Sequence, residues 1–393
     1  MTITSPTDPR TIGARTAAAG TTPGPTGDAA SVPLLLGWDA IEFWVGNARA
    51  FAGFLSSAFG FRVTAYAGPE TGSADRASYV LEQGRIRFVV TAALTPDGPI
   101  AAHVREHGDG VHDLAFAVTD AAAAFDAAVA RGARPLDDPH AVGDERGELR
   151  LARIATYGET GHTFVDRSRY GGGFRPGYTT DGLPPSPVAA RPVGLDLVDH
   201  VVGNVELGSL ERWVDFYRSV LGFERLRHFD DSQISTEYSA LMSTVVWDGA
   251  QIVLPLNEPA PGRRKSQIQE YLETYRGPGV QHIALGTTDI VGAVSSLRER
   301  GLRFLEAPAA YYDDARARLG HLDLPWEDLR RLGILVDEEP DGWLLQIFTE
   351  TLSDRPTIFV EIIQRGGARG FGAGNFKALF EAIEREQARR GHL

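Results

Sequence analysis

The chain of 393 residues contains no cysteine, which excludes disulfide bonds and thiolate metal ligands. Any bound metal must therefore be held by nitrogen and oxygen atoms. Basic residues are also in deficit, with 39 Lys and Arg against 52 Asp and Glu and a formal charge of −13, which disfavours nucleic acid and anionic membranes as partners. No stretch approaches the ~20 apolar residues that a membrane helix needs. We expect a soluble, cytoplasmic protein.

The first 33 residues are rich in Thr, Pro, Gly and Ala, and they carry two arginines and two aspartates. They lack the apolar centre of a secretion signal and the acid-poor, basic character of a transit peptide. We therefore predict a disordered tail over residues 1–33. The remaining chain is long enough for about two domains at roughly 100–200 residues each.

An internal repeat organises those remaining residues. Residues 41–47 resemble 198–204, and each segment leads into an amphipathic helix that should end at a glycine, Gly60 or Gly222. Further along, residues 110–116 resemble 279–285, and each is followed by a predicted helix with an aspartate cap.

The last part of the repeat pairs residues 163–166 with 358–361. Short strands alternating with helices predict an α+β protein whose curled sheets enclose a cavity. A Gly- and Pro-rich linker at 168–194 separates a predicted N-terminal structural domain, 34–167, from a catalytic domain, 195–393.

Two histidines and one carboxylate in apolar runs, His200, His282 and Glu361, are the candidate metal ligands. Such a set occupies one face of an octahedron and leaves three positions open, as in non-heme iron oxygenases. The positions that the repeat matches to them in the first half are Phe43, Asp113 and Asp166. Only the second half can therefore use this ligand set.

Two other patterns allow competing interpretations. His103-Val104-Arg105-Glu106-His107 matches a zinc-protease pattern, but we interpret it as a solvated helix face without a third ligand. The glycine-rich segment 370–376 has Asn375 where a nucleotide loop needs its third glycine, so we predict that Asn375 caps a terminal helix. Phe371 and Phe376 could also belong to a hinged lid that excludes water.

Taken together, the chain resembles the 4-hydroxyphenylpyruvate dioxygenase family over about residues 35–393. The segments that carry the resemblance are 199–204, 238–243, 255–259, 265–268, 279–285, 344–349, 355–357, 361–363 and 370–376. Val360 and Trp343 depart from residues that are common in the family, and we expect only packing changes from them.

The resemblance implies two domains of paired βαβββ modules, the vicinal-oxygen-chelate fold, and Fe(II) held by His200, His282 and Glu361. O₂ would be the co-substrate, and 4-hydroxyphenylpyruvate would be converted to homogentisate and CO₂ in tyrosine and phenylalanine catabolism. It further implies a homo-oligomer, either a dimer or a tetramer. The implied substrate-binding residues are Ser243, Asn257, Gln267, Gln281, Gln346, Phe348, Asn375 and Phe376, and the implied lid residues are Phe371, Gly372 and Gly374.

Two alternatives stay open at this point. Hydroxymandelate synthase is similar in sequence, substrate and ligand set but hydroxylates the benzylic carbon. Retention of residues 255–259 and of the glycine-phenylalanine segment favours ring hydroxylation. A metal-free protein that binds an aromatic ligand on the same fold is the second alternative, and it would not need His200 or Glu361.

Overall fold

The computed structural model describes residues 34–183, 190–229, 240–260 and 265–375, together with 378, 382–385 and 388. The predicted tail and part of the predicted linker lie outside the described residues. The domain boundaries stay predictions, because the two halves also share one large hydrophobic core.

The first half forms an eight-stranded sheet in the order β2-β3-β4-β1-β5-β8-β7-β6. Its strands are β1 Leu35–Trp44, β2 Arg62–Ala67, β3 Arg76–Gln83, β4 Ile86–Ala93, β5 Gly110–Val118, β6 Pro135–Asp144, β7 Gly147–Ala155 and β8 Gly161–Tyr170. Its helices are α1 Ala48–Phe59, α2 Pro99–His107 and α3 Ala121–Ala130.

The second half repeats this topology in the order β10-β11-β12-β9-β13-β16-β15-β14. Its strands are β9 Leu195–Asn204, β10 Glu224–Phe229, β11 Ala240–Trp247, β12 Val253–Ala260, β13 Gly279–Thr287, β14 Leu335–Glu339, β15 Gly342–Phe348 and β16 Phe359–Gly366. Its helices are α4 Leu210–Leu221, α5 Gln267–Tyr275, α6 Ile290–Glu299, α7 Ala309–Leu319 and α8 Trp326–Leu332. The predicted paired βαβββ modules are confirmed, with α7 and α8 as an addition in the second half.

Local signals explain the helix ends. Gly60 and Gly222 follow α1 and α4 with φ of 78° and 73°, the left-handed conformation that glycine adopts without a steric penalty. The Asp120 side chain accepts hydrogen bonds from two backbone amides at the start of α3, and Asp289 does so from Gly292 in α6. None of the helices in the described ranges is long and apolar enough to cross a membrane.

The sheet register corrects two of the matches drawn from the sequence. Ala284 on β13 pairs with both His200 and Glu361, whereas its counterpart Ala115 on β5 pairs with Ala40. The structural counterpart of His200 is therefore Ala40, and the match to Phe43 is wrong. The shared sequence Val-Gly-Asn at 45–47 and 202–204 caused the wrong match, because Asn47 caps α1 whereas Asn204 is the last residue of β9.

The match of Asp166 to Glu361 is also wrong. β5 and β8 pair Phe116 with Phe164, so Ala115 lies opposite Thr163 by continuation of that register. Asp113, the counterpart of His282, forms an ion pair of 2.8 Å with Arg153. At the three positions that correspond to the candidate ligands, the first half therefore has a single carboxylate, and Arg153 already pairs with it.

Candidate metal centre

Strand register brings His200, His282 and Glu361, called the triad below, onto one face of the second sheet. His200 on β9 and Glu361 on β16 both pair with Ala284 on the strand between them, β13. His282 lies two residues before Ala284, and residues two apart on a strand point to the same side. Three residues far apart in sequence are therefore neighbours because of the pairing of three adjacent strands.

The triad has the spacing of a metal site. His200 Nε2 lies 3.2 Å from Glu361 Oε2, and His282 Nε2 lies 3.5 Å from the same oxygen. Ligands at about 2.0–2.2 Å from one ion are separated by roughly 3.0–3.5 Å, so a single ion fits between them. All three residues are buried, and within the described part of the chain Glu361 Oε1 and His282 Nδ1 have no hydrogen-bond partner.

The electrostatics of the triad favour a cation. Burial alone would lower the pKa of His200, but the facing Glu361 carboxylate and Asp199 outweigh burial and raise it to about 9. Burial alone would raise the pKa of Glu361, yet His200 and His282 lower it to about 2. Burial lowers the pKa of His282, which keeps its imidazole neutral. The carboxylate is thus ionised and needs positive charge beside it.

A second layer of contacts fixes the orientation of His200. Its Nδ1 lies 2.7 Å from Asp199 Oδ1, and Arg365 donates to both Asp199 oxygens at 2.7 Å. Arg365 also donates to the carbonyl oxygens of Ala368 and Gly370, at 3.2 and 2.6 Å. This network, which the sequence analysis missed, joins one triad histidine to the segment that contains Phe371. Metal-binding histidines usually have such a partner on the other ring nitrogen.

A cavity with few charges surrounds the triad. Five of the predicted polar residues line it: Ser243, Asn257, Gln267, Gln281 and Gln346. Phe348 and Phe371 line it as well, and further apolar lining comes from Val202, Leu241, Val245, Pro255, Phe359 and Ile383, which were not predicted. Such neutral hydrogen-bonding groups among apolar walls suit a small aromatic ligand.

Aromatic rings pack directly against the triad. Phe359 stacks on His282 with ring centroids 4.7 Å apart, and Phe371 meets His200 edge to face at 5.2 Å. Alternation along β16 places Phe359 on the same face as Glu361 and sends Val360 into the core on the other face. Phe359 could have been found from that alternation.

The remaining predicted residues lie elsewhere or outside the described residues. Asn375 is buried and accepts a hydrogen bond of 2.6 Å from Tyr311, and it is not among the residues lining the cavity. Gly372 has a φ of 70°, and Gly374 donates its backbone N–H to Asp337 at 2.8 Å. Phe376 lies outside the described residues, so its role stays a prediction.

The interpretation of residues 103–107 as a solvated helix face is wrong. His103 and His107 on α2 are only 2% and 6% exposed. They lie beside Glu159, and the three residues together form a second group of metal-ligand type. Tyr275 from the second half covers His107, with ring centroids 4.6 Å apart. Burial here comes from a residue 168 positions away in sequence, which the local pattern could not show.

Two sheets of paired βαβββ modules and a buried His-His-Glu set define the metal-dependent class of vicinal-oxygen-chelate enzymes. In agreement, the profile of the Glyoxalase/Bleomycin resistance protein/Dioxygenase superfamily matches residues 197–347. A profile described as the N-terminal part of hydroxyphenylpyruvate dioxygenase matches residues 34–175.

Full-length relatives give the particular family. A 4-hydroxyphenylpyruvate dioxygenase from Dictyostelium discoideum is 49% identical, over 91% of this chain and 100% of that protein. Another from Coccidioides posadasii is 46% identical, over 91% of this chain and 94% of its own. The chain belongs to the 4-hydroxyphenylpyruvate dioxygenase family.

A solved structure adds a related activity. A triple variant of 4-hydroxymandelate synthase from Streptomyces coelicolor is similar, with 37% identity and a TM-score of 0.75, over 90% of this chain and 100% of that chain. The similarity extends through both halves. The fold alone therefore does not separate ring from side-chain hydroxylation.

Proposed function

We propose that the enzyme uses Fe(II) and O₂ to convert 4-hydroxyphenylpyruvate to homogentisate and CO₂. The observation that carries the proposal is the convergence of His200, His282 and Glu361 within one buried cavity of a family member, with ligand-atom separations of 3.2 and 3.5 Å. A metal-free binding protein is disfavoured because, among the described residues, Glu361 Oε1 would stay buried without any partner.

The two imidazoles and the Glu361 carboxylate would hold the ion. Bound Fe(II) would supply the open coordination positions for oxygen chemistry, and the keto acid would supply the electrons. Nδ1 of His200 lies 2.7 Å from Asp199 Oδ1. This contact turns Nε2 of the same ring toward the Glu361 carboxylate. That fixed ring orientation is the contribution of the protein to an ordered site.

The polar cavity residues would orient the substrate. Ser243 on β11 pairs with Asn257 on β12. Gln346 on β15 lines the same cavity. Neutral amides and a hydroxyl can bond a phenol and a keto acid without displacing the triad from an ion. Apolar rings at Phe348 and Phe359 would flank the aromatic ring.

Phe371 has the position of a lid. It lines the triad cavity on one side and a larger outer groove on the other. Its ring covers His200, and the Arg365 guanidinium lies 5.7 Å from its centroid. Swinging this one ring would open the cavity toward the groove, and closing it would exclude water during oxidation.

The second candidate function is hydroxymandelate formation, which the likeness to the Streptomyces synthase favours. Several full-length relatives named 4-hydroxyphenylpyruvate dioxygenase, at 44–49% identity, favour ring hydroxylation instead. A cytoplasmic location and a dimer or tetramer stay predictions from the sequence.

The test is O₂ uptake by metal-free protein given Fe(II) and 4-hydroxyphenylpyruvate. Uptake should require both additions and should be lost in His282→Ala, with Fe(II) affinity falling as well. His140→Ala, an exposed histidine on β6, is the matched control and should keep full activity. Unchanged O₂ uptake in His282→Ala would refute the assignment of the triad.

A further inference from the structure

We propose that His103, His107 and Glu159 form a second metal site that binds a divalent ion of the zinc class. The site lies in the first half, beside the end of α5, and shares no residue with the triad. His103 and His107 are four residues apart on α2 and therefore project from the same face of that helix.

The spacing of this second group resembles that of the triad. His103 Nδ1 lies 2.7 Å and His107 Nε2 lies 3.5 Å from Glu159 Oε2. The corresponding distances in the triad are 3.2 and 3.5 Å. The three ligand atoms of each group lie within 4.8 Å of one another. A small outward shift of the exposed Glu159 side chain would give the ~3.3 Å separations of a tetrahedral ion.

His107 is oriented as metal-binding histidines usually are. His107 Nδ1 lies 2.5 Å from the Tyr275 carbonyl oxygen, which can only accept, so Nδ1 carries the proton and Nε2 has a free lone pair toward Glu159. Burial lowers the pKa of His103, which keeps its ring neutral as metal binding requires.

Nitrogen atoms without hydrogen-bond partners lie beside the group. In the described part of the chain, His103 Nε2 and both ring nitrogens of His112 are buried without a hydrogen-bond partner. His112 is 8% exposed, and its ring centroid lies 5.4 Å from that of His103. Buried polar atoms without partners are uncommon, and a buried water behind the ring would give His103 Nε2 the partner that metal-binding histidines usually have.

Solvent can reach this site past Glu159. The Glu159 side chain is 52% exposed, whereas those of His103 and His107 are 1% and 8% exposed. An ion could therefore enter past the carboxylate and keep a water as its fourth ligand. Two imidazoles and one carboxylate suit zinc-class ions better than Mg²⁺ or Ca²⁺, which prefer oxygen atoms alone.

The surroundings favour a structural ion over a protease centre. Glu106, which would be the general base of the protease pattern, pairs with Arg276 at 3.3 Å, and its backbone carbonyl accepts from Arg355 at 2.9 Å. Both arginines belong to the second half. An ion on α2 would therefore stabilise the contact between the two halves of the chain.

Zn²⁺ titration calorimetry of chelator-treated full-length protein tests the proposal. We expect two tight equivalents in the wild-type chain and one in Glu361→Ala, in which the triad is incomplete. Adding Glu159→Gln to Glu361→Ala should weaken the remaining site at least tenfold and abolish the Zn²⁺-dependent rise in Tm. Glu159→Gln is a mild, surface-accessible change, and circular dichroism checks its folding.

His140→Ala in the Glu361→Ala background is the control and should leave the second equivalent intact. The proposal is overturned if Glu361→Ala binds no tight Zn²⁺, or if its bound Zn²⁺ is unaffected by Glu159→Gln. Loss of O₂ uptake in Glu361→Ala concerns only the triad, so the two proposals fail separately.

Discussion

Asp199→Asn is the most informative substitution near the triad. Asp199 holds His200 at 2.7 Å and receives two hydrogen bonds from Arg365, whose side chain is 22% exposed. The amide keeps the shape of the carboxylate but removes its charge. Loss of a partner behind a metal-binding histidine weakens metal affinity by about 10–100-fold, or roughly 1.4–2.7 kcal/mol.

The same substitution should also destabilise the fold. The Arg365 guanidinium would stay largely buried without a carboxylate partner, and this costs about 3 kcal/mol of folding free energy. The cost is at the low end for broken buried pairs because Arg365 still donates to two carbonyl oxygens. Asp196→Asn is the control: it breaks an exposed pair with Arg85, worth at most ~1 kcal/mol.

Anaerobic Fe(II) titration and urea unfolding of both variants would measure these effects. Fe(II) affinity should fall only in Asp199→Asn, and its free energy of unfolding should fall by more than that of Asp196→Asn. Wild-type Fe(II) affinity in Asp199→Asn would refute the role assigned to this network.

Three further predictions concern the lid, its hinge and pH. Phe371→Ala should raise O₂ uptake relative to product formed, because water then reaches the cavity; equal coupling in oxygen-electrode and product assays would contradict this lid role. Gly372→Ala should lower kcat/KM at least tenfold in steady-state assays, because φ is 70° and a Cβ would lie 2.7 Å from Gln346 Nε2; unchanged kinetics would be evidence against that clash. Burial lowers the pKa of His162 from an ordinary 6.5 to about 4. The folded protein is therefore favoured above pH 6.5, where His162 is neutral in both states. As the pH falls toward 4 the unfolded chain binds the proton first, and roughly 3 kcal/mol of stability is lost. Urea unfolding across this range should be less pH-dependent in His162→Gln than in the wild-type chain, and identical slopes would argue against this.

The repeat and its helix ends were predictable because they depend on local signals. Apolar spacing located α1 and α4, and the glycine and aspartate caps fixed where helices stop or begin. Register was less accessible: the shared Val-Gly-Asn at 45–47 and 202–204 made Phe43 look equivalent to His200, although pairing through Ala115 identifies Ala40. Sequence similarity cannot measure which residues face each other across strands.

The triad itself was predictable from the family resemblance, whereas its surroundings were not. Arg365 reaches Asp199 across 166 positions, and no local pattern indicates that contact. The same applies to α7, which starts after Pro308 with little separation of polar and apolar faces. Long-range contacts that combine ordinary residue types need the fold itself.

The central claim is tested most directly by identifying the product that purified enzyme forms from 4-hydroxyphenylpyruvate with Fe(II) and O₂. Our account predicts homogentisate, with one CO₂ released for each O₂ consumed. Formation of 4-hydroxymandelate would contradict ring hydroxylation, and the absence of any oxidised product would contradict the proposed function as a whole.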